Sequence, residues 1–134
     1  MNTTQNTSVT FYQNLGKLFY AIAAADKFVH KSELASLQKV VKSEWLPIDS
    51  TEDEFGVDLA FQIETVFDWM DNEEISADLC FQQFEVYFKE HTSLFTNKIK
   101  QLIWTTSNNI AGAFSGKNKS ELMMLGRLKL LLES

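Results

Sequence analysis

The chain predicts an all-α fold, a single-domain bundle of about six helices. Three observations carry that expectation. Apolar residues recur every three or four positions along most of the 134 residues. One proline and five glycines leave few points at which a helix must stop. No run of alternating apolar and polar residues bounded by turn residues marks a strand. A fourth feature adds internal symmetry. Residues 22–41 return, 88 positions later and without a gap, as residues 110–129. Ile22, Ala23, Ala25, Lys31, Ser32, Glu33, Leu34 and Leu37 match Ile110, Ala111, Ala113, Lys119, Ser120, Glu121, Leu122 and Leu125. The fold expected is therefore a bundle with a pseudo-twofold repeat.

The elements follow in order. Residues 1–9 are polar and read as a flexible tail before one domain over 10–134. Phe11, Leu15, Leu18, Ile22 and Ala25 form one stripe on a helix over about 9–26, with Ser8 as a cap. After a connector, Leu34, Leu37 and Val41 mark a second helix over about 31–45, which Pro47 stops. An acidic loop runs over 48–56. Residues 57–70 read as a third helix through Phe61, Ile63, Phe67 and Met70, followed by a turn at Asp71-Asn72-Glu73-Glu74. Ser76 caps a fourth helix over 77–90, whose buried face carries Phe81, Phe84 and Phe88. A fifth starts at Thr92 or Ser93 and ends at Ser115-Gly116. The last runs from Lys119 to about Leu132.

Composition narrows the function classes. Cys80 is the single cysteine, so no intrachain disulfide and no cysteine-based metal site is available, which fits a reducing compartment. The N-terminus lacks a signal-peptide pattern and no apolar run reaches the ~20 residues of a membrane span. The expected setting is a soluble cytoplasmic protein. Net charge is −6, unevenly spread. Residues 44–90 carry fourteen carboxylates against Lys89 alone, whereas both copies of the repeat are mildly basic. That pattern argues against nucleic acid as a partner, because phosphate contacts need a dominant basic face. No phosphate loop, nucleophile elbow, nucleotide fingerprint or His-Glu-x-x-His is present, so no small-molecule cofactor is evident.

Two groups of residues point toward function. Glu33 and Glu121 stand three residues after His30 and Asn118, the spacing of a capping box, and so have a helix-start explanation. Asp26 falls near the C-terminal end of a helix, where the dipole disfavours negative charge. It is either a surface residue paired with Lys27 or Lys31, or, with Glu33, a hard-oxygen ligand for Ca²⁺ or Mg²⁺. The second group is the acidic cluster Asp68, Asp71, Glu73, Glu74 and Asp78. It is either a solvated surface or a docking face for a basic partner or another copy.

Ala24-Ala25-Asp26, Val29 and Glu33-Leu34 resemble the Ala-x-Ala-Asp-Gly-x-Val-x-x-x-Glu signature of the TerB-like tellurite-resistance family. The resemblance covers about residues 10–132. It implies an all-helical fold with internal pseudo-twofold symmetry, a link to tellurite resistance and stress responses, and divalent-metal binding by Asp26 and Glu33. This chain departs from the signature at Lys27, where glycine is expected, and at Phe114, which replaces the aspartate in the second copy. The expectation that follows is a non-enzymatic TerB-like module with a weak divalent-cation site and an acidic docking face. Two alternatives stand beside it: a metal-dependent hydrolase using the clustered carboxylates, and a structural protein that dimerises.

Overall fold

The computed structural model describes residues 3–48, 58–113 and 118–134. The described residues form six α-helices and no strand: α1 (Thr3–Ala23), α2 (Lys31–Val40), α3 (Gln62–Asn72), α4 (Ala77–Glu90), α5 (Asn97–Ala111) and α6 (Lys119–Glu133). The all-α bundle is thus present. None of the helices is long and apolar enough to cross a membrane.

α1 is the central element. Its residues from Leu18 to Ala23 are all buried, so it is apolar around its whole circumference over that stretch. It packs against α3, α4, α5 and α6. The contact with α3 is close at Gly16, where a Cβ would lie 2.7 Å from the Ile63 carbonyl oxygen and 2.9 Å from Val66 Cβ. The phenylalanine-rich centre is core: Phe19, Phe67, Phe81, Phe84 and Phe88 are fully buried. Phe95 inserts among Phe11, Phe84, Tyr87 and Phe88, with centroids 4.6–6.2 Å apart.

Element ends differ from the sequence expectation for identifiable reasons. α1 begins at Thr3, so Ser8 lies inside it. Nothing in residues 3–15 breaks a helix, and the polar turns simply continue it. The same helix ends at Ala23 rather than 26, because the chain turns through Ala24–Asp26 to place Lys27 at a positive φ of 75°. α2 gives way after Val40 to a π-turn (Val41–Trp45) and a 3₁₀ turn (Leu46–Ile48). The wider turn leaves the fully buried Trp45 with its indole N–H donating to Thr106 Oγ1 at 3.1 Å. Before α3 the chain makes a 3₁₀ turn (Leu59–Phe61). α5 starts at Asn97 instead of Thr92, capped by Thr96, because Phe95 leaves the helical region to reach the core. It ends at Ala111; Ser115-Gly116 and the acidic loop expected over 48–56, apart from Ile48, lie outside the described residues.

Candidate functional site

The two copies of the repeat meet at their glutamates. Each glutamate is the third residue of its helix and accepts a hydrogen bond from the backbone N–H that precedes it. His30 N donates to Glu33 Oε1 at 2.7 Å, and Asn118 N donates to Glu121 Oε1 at 3.1 Å. Asn118 Oδ1 in turn accepts from Glu121 N at 2.8 Å, completing a capping box. The helix-start reading of both residues is therefore correct as far as it goes. The structure adds that the two side chains are 1% and 2% exposed and close enough for one carboxyl to hydrogen-bond the other.

Burial governs their ionisation. Desolvation pushes Glu33 up to about 8; the His30 N–H pulls the other way, and the Glu121 carboxyl and the charge of Asp26 add to the rise. Burial raises Glu121 as well, against the Asn118 N–H and the hydrogen bond with Glu33. Two carboxyls in contact inside a protein do not both ionise readily, so the pair retains a proton at neutral pH.

Asp26 lies beside this pair. Its Oδ1 accepts from Phe28 N at 3.1 Å, closing a local turn. Its Oδ2 accepts from Asn118 Nδ2 at 2.8 Å and lies 3.6 Å from His30 Nε2. Asp26 thus has a structural role that its position at a helix end did not reveal: it ties the first connector to the cap of the second copy's helix. Its partners are His30 and Asn118, where Lys27 or Lys31 was expected. Phe114, its counterpart in the repeat, lies outside the described residues.

Asp26 and Glu33 are hard oxygen donors of the kind Ca²⁺ or Mg²⁺ takes. As positioned, their oxygens are engaged by protein donors and by the Glu121 carboxyl. Among the described residues no three His, Cys, Asp or Glu side chains form a group that could hold a metal ion. A cation at Asp26 and Glu33 would have to displace Asn118 and the shared proton.

The acidic cluster divides. Asp71, Glu74 and Asp78 line a groove of about 660 Å³ between the end of α1 and the α3–α4 turn. It is also lined by the apolar Ala24, Ala25, Ile75 and Met124, by Lys27 and by the exposed Phe28. The turn is held by Tyr20, whose hydroxyl donates to the Ile75 carbonyl at 2.7 Å. It is also a Schellman motif: Ile75 N donates to Met70 O and Glu74 N to Asp71 O, with Glu74 at a positive φ of 52°. Burial raises the Asp71 carboxyl above its usual range, and Asp68 and Glu74 add to it. Asp78 is paired with Arg127 at 2.7 Å, and that guanidinium stacks 4.4 Å from the Phe81 ring centroid. Asp68 lies on a separate, shallower groove with Leu34 and Glu64, and Glu73 is exposed on the turn itself.

No protein-family model matches the chain, and neither a curated protein nor a solved structure does. The site is therefore read from its own chemistry. Sequence reasoning grouped the acidic residues correctly in part but missed Lys27, Phe28 and Met124 as groove residues. It also missed the contact between the glutamates. The repeat set the two glutamates at equivalent positions of its two copies, and that equivalence alone did not say that they touch. Cys80 is fully buried beside Met70 Sδ at 3.7 Å, with burial pushing its thiol up to about 11.

Proposed function

We propose that this chain is a non-enzymatic TerB-like interaction module, associated with stress or tellurite resistance, that binds a basic segment of a partner protein in the groove at the α3–α4 turn. One observation carries the reading. Asp71 and Glu74 line one groove together with the apolar Ala24, Ala25, Ile75 and Met124, and the exposed ring of Phe28 lines it too. A segment with Lys or Arg next to an apolar side chain fits that pairing of charge and surface. Asp78 is already paired with Arg127, so the reading assigns the basic segment to Asp71 and Glu74. The TerB-like assignment is supported by the Asp26 turn, where Lys27 adopts the left-handed backbone that the signature's glycine favours.

The test is a panel of immobilised peptides with equal apolar content and opposite charge. Basic peptides should be retained at low salt and released as ionic strength screens the acidic turn. The double variant Asp71→Lys, Glu74→Lys should lose that retention by tenfold or more. Equal retention of basic and acidic peptides, or retention unchanged in the double variant, would remove the docking reading.

A second reading is favoured by three neighbouring carboxyls: Glu33 and Glu121 hydrogen-bond each other, and the charge of Asp26 raises both. In it, Ca²⁺ or Mg²⁺ takes the place of the shared proton, with Asp26 and Glu33 as ligands. Millimolar cation should then raise the melting temperature, and Asp26→Asn should abolish the rise. A melting temperature indifferent to both cations ends this reading.

A further inference from the structure

α6 has two apolar faces, and the chain uses only one. Leu125, Leu128 and Leu132 point into the core. On the other side Leu122, Met123 and Leu130 are 54%, 64% and 73% exposed. At 3.6 residues per turn, Lys119, Leu122, Met123, Gly126, Leu130 and Glu133 fall within about 100° of one another, a single stripe along the whole helix. Gly126 is at its centre. Nothing lies within 4 Å of where its Cβ would be. Packing within the chain therefore does not require glycine there, although glycine weakens a helix interior.

Two pairs in the stripe are placed symmetrically about Gly126, and Met123 has Lys129 as its counterpart. Leu122 and Leu130 stand four residues on either side of it, and Lys119 and Glu133 stand seven residues on either side. We propose that α6 is the contact of a homodimer in which two copies of α6 pack antiparallel across a twofold axis through Gly126. That arrangement sets Leu122 of each copy against Leu130 of the other and Lys119 against Glu133 at both ends. A twofold interface demands such reciprocity, residue i meeting j and j meeting i. A parallel pairing would set Lys119 against Lys119, so charge selects the antiparallel one. The missing side chain at position 126 lets the two helix axes approach closely, since interaxial distance follows the size of the residues at the crossing. The groove at the α3–α4 turn plays no part in this contact, so the proposal stands independently of the docking reading.

Sedimentation equilibrium of the full chain from ~5 to ~500 µM covers the affinities expected of a small helix-pair interface. The result expected is a reversible monomer–dimer equilibrium. Leu130→Glu should leave only monomer. Lys119→Glu and Glu133→Lys should each weaken the dimer by about tenfold, and the double swap should recover most of that loss. Gly126→Cys should form a self-cross-linked dimer under mild oxidation, whereas Gln83→Cys, on the exposed side of α4, should not. Thermal melts of each variant establish that it folds. Should a charged variant fail to fold, the cross-linking pair decides alone. Monomer across the whole range overturns the proposal. So does a dimer indifferent to Leu130→Glu, a double swap no better than its single parents, or a failure of Gly126→Cys to cross-link.

Discussion

Lys27 holds a backbone conformation that a side chain disfavours. Its φ of 75° belongs to the left-handed region, where a Cβ crowds the following carbonyl at a cost of roughly 1–2 kcal/mol. The turn tolerates this because Asp26 closes it on Phe28 N and is itself held by Asn118. Lys27→Gly relieves the crowding but loosens the unfolded chain, which offsets part of the gain. The variant should be more stable by about 0.5–1 kcal/mol in urea unfolding. A loss of stability would mean that the lysine side chain contributes contacts larger than the backbone cost. Asp26 shows what residue-level reading captures and what it misses. Its oddity at a helix end was legible in the sequence; its partner, 92 positions away, was not.

At the scale of elements, two glycines in helices behave oppositely. Gly16 is where α1 meets α3, with a backbone carbonyl 2.7 Å from the position a Cβ would take. Alanine there gains helix propensity of about 1 kcal/mol. It also forces two helices apart, and overpacking of this kind costs roughly 1–3 kcal/mol. A backbone carbonyl cannot swing aside as a side-chain tip can, so the clash wins. Gly16→Ala should therefore destabilise by on the order of 1 kcal/mol. Gly126→Ala, tested at concentrations where the chain is monomeric, should stabilise by about the same amount, since open space surrounds that site. Denaturation midpoints compared at equal m-value check both signs. Sequence periodicity found α1 and α2 but not all their ends, α1 running Thr3–Ala23 and α2 stopping at Val40, and it placed α4 and α6 closely because each carries a stripe with a clear period. It misplaced the start of α5, where Phe95 follows the pull of four aromatic neighbours instead of the helix, and it overlooked the π-turn that seats Trp45 against Thr106.

For the whole molecule, the glutamate pair joins the two ends of the chain, and its ionisation is linked to folding. A carboxyl whose folded pKa is raised binds its proton more tightly in the native state than in the unfolded one. Its contribution is fully present below the unfolded value and is lost as pH rises through the folded value. For Glu33 that window opens near the ordinary glutamate range and closes at about 8. Stability should fall across it, by at most ~1.4 kcal/mol per pH unit for one proton. Glu121→Gln removes one of the two charges and keeps a side chain able to donate to Glu33. The slope in urea unfolding between the acidic end of the window and about pH 8 should flatten in this variant. An unchanged slope would assign the pH dependence elsewhere. Asp71, raised by burial and by its acidic neighbours, adds to the fall with the same sign, and Asp71→Asn separates the two contributions.

The sequence by itself determined the fold class, the run of helices, the capping glutamates and the segregation of acid into the middle of the chain. Each is a local property, written in periodicity, in cap spacing or in composition. The tertiary structure decided which of those local features touch. Glu33 and Glu121 are separated by 88 positions, and spacing along a chain carries no statement of distance across it. Only packing around α1 brings the two helix starts together, removes both carboxyls from water and gives them a proton to hold in common. The same packing splits the acidic run: Asp71 and Glu74 line a groove with apolar neighbours, and Glu73 does not. Burial and convergence are products of the fold, and the chemistry of the candidate site depends on both.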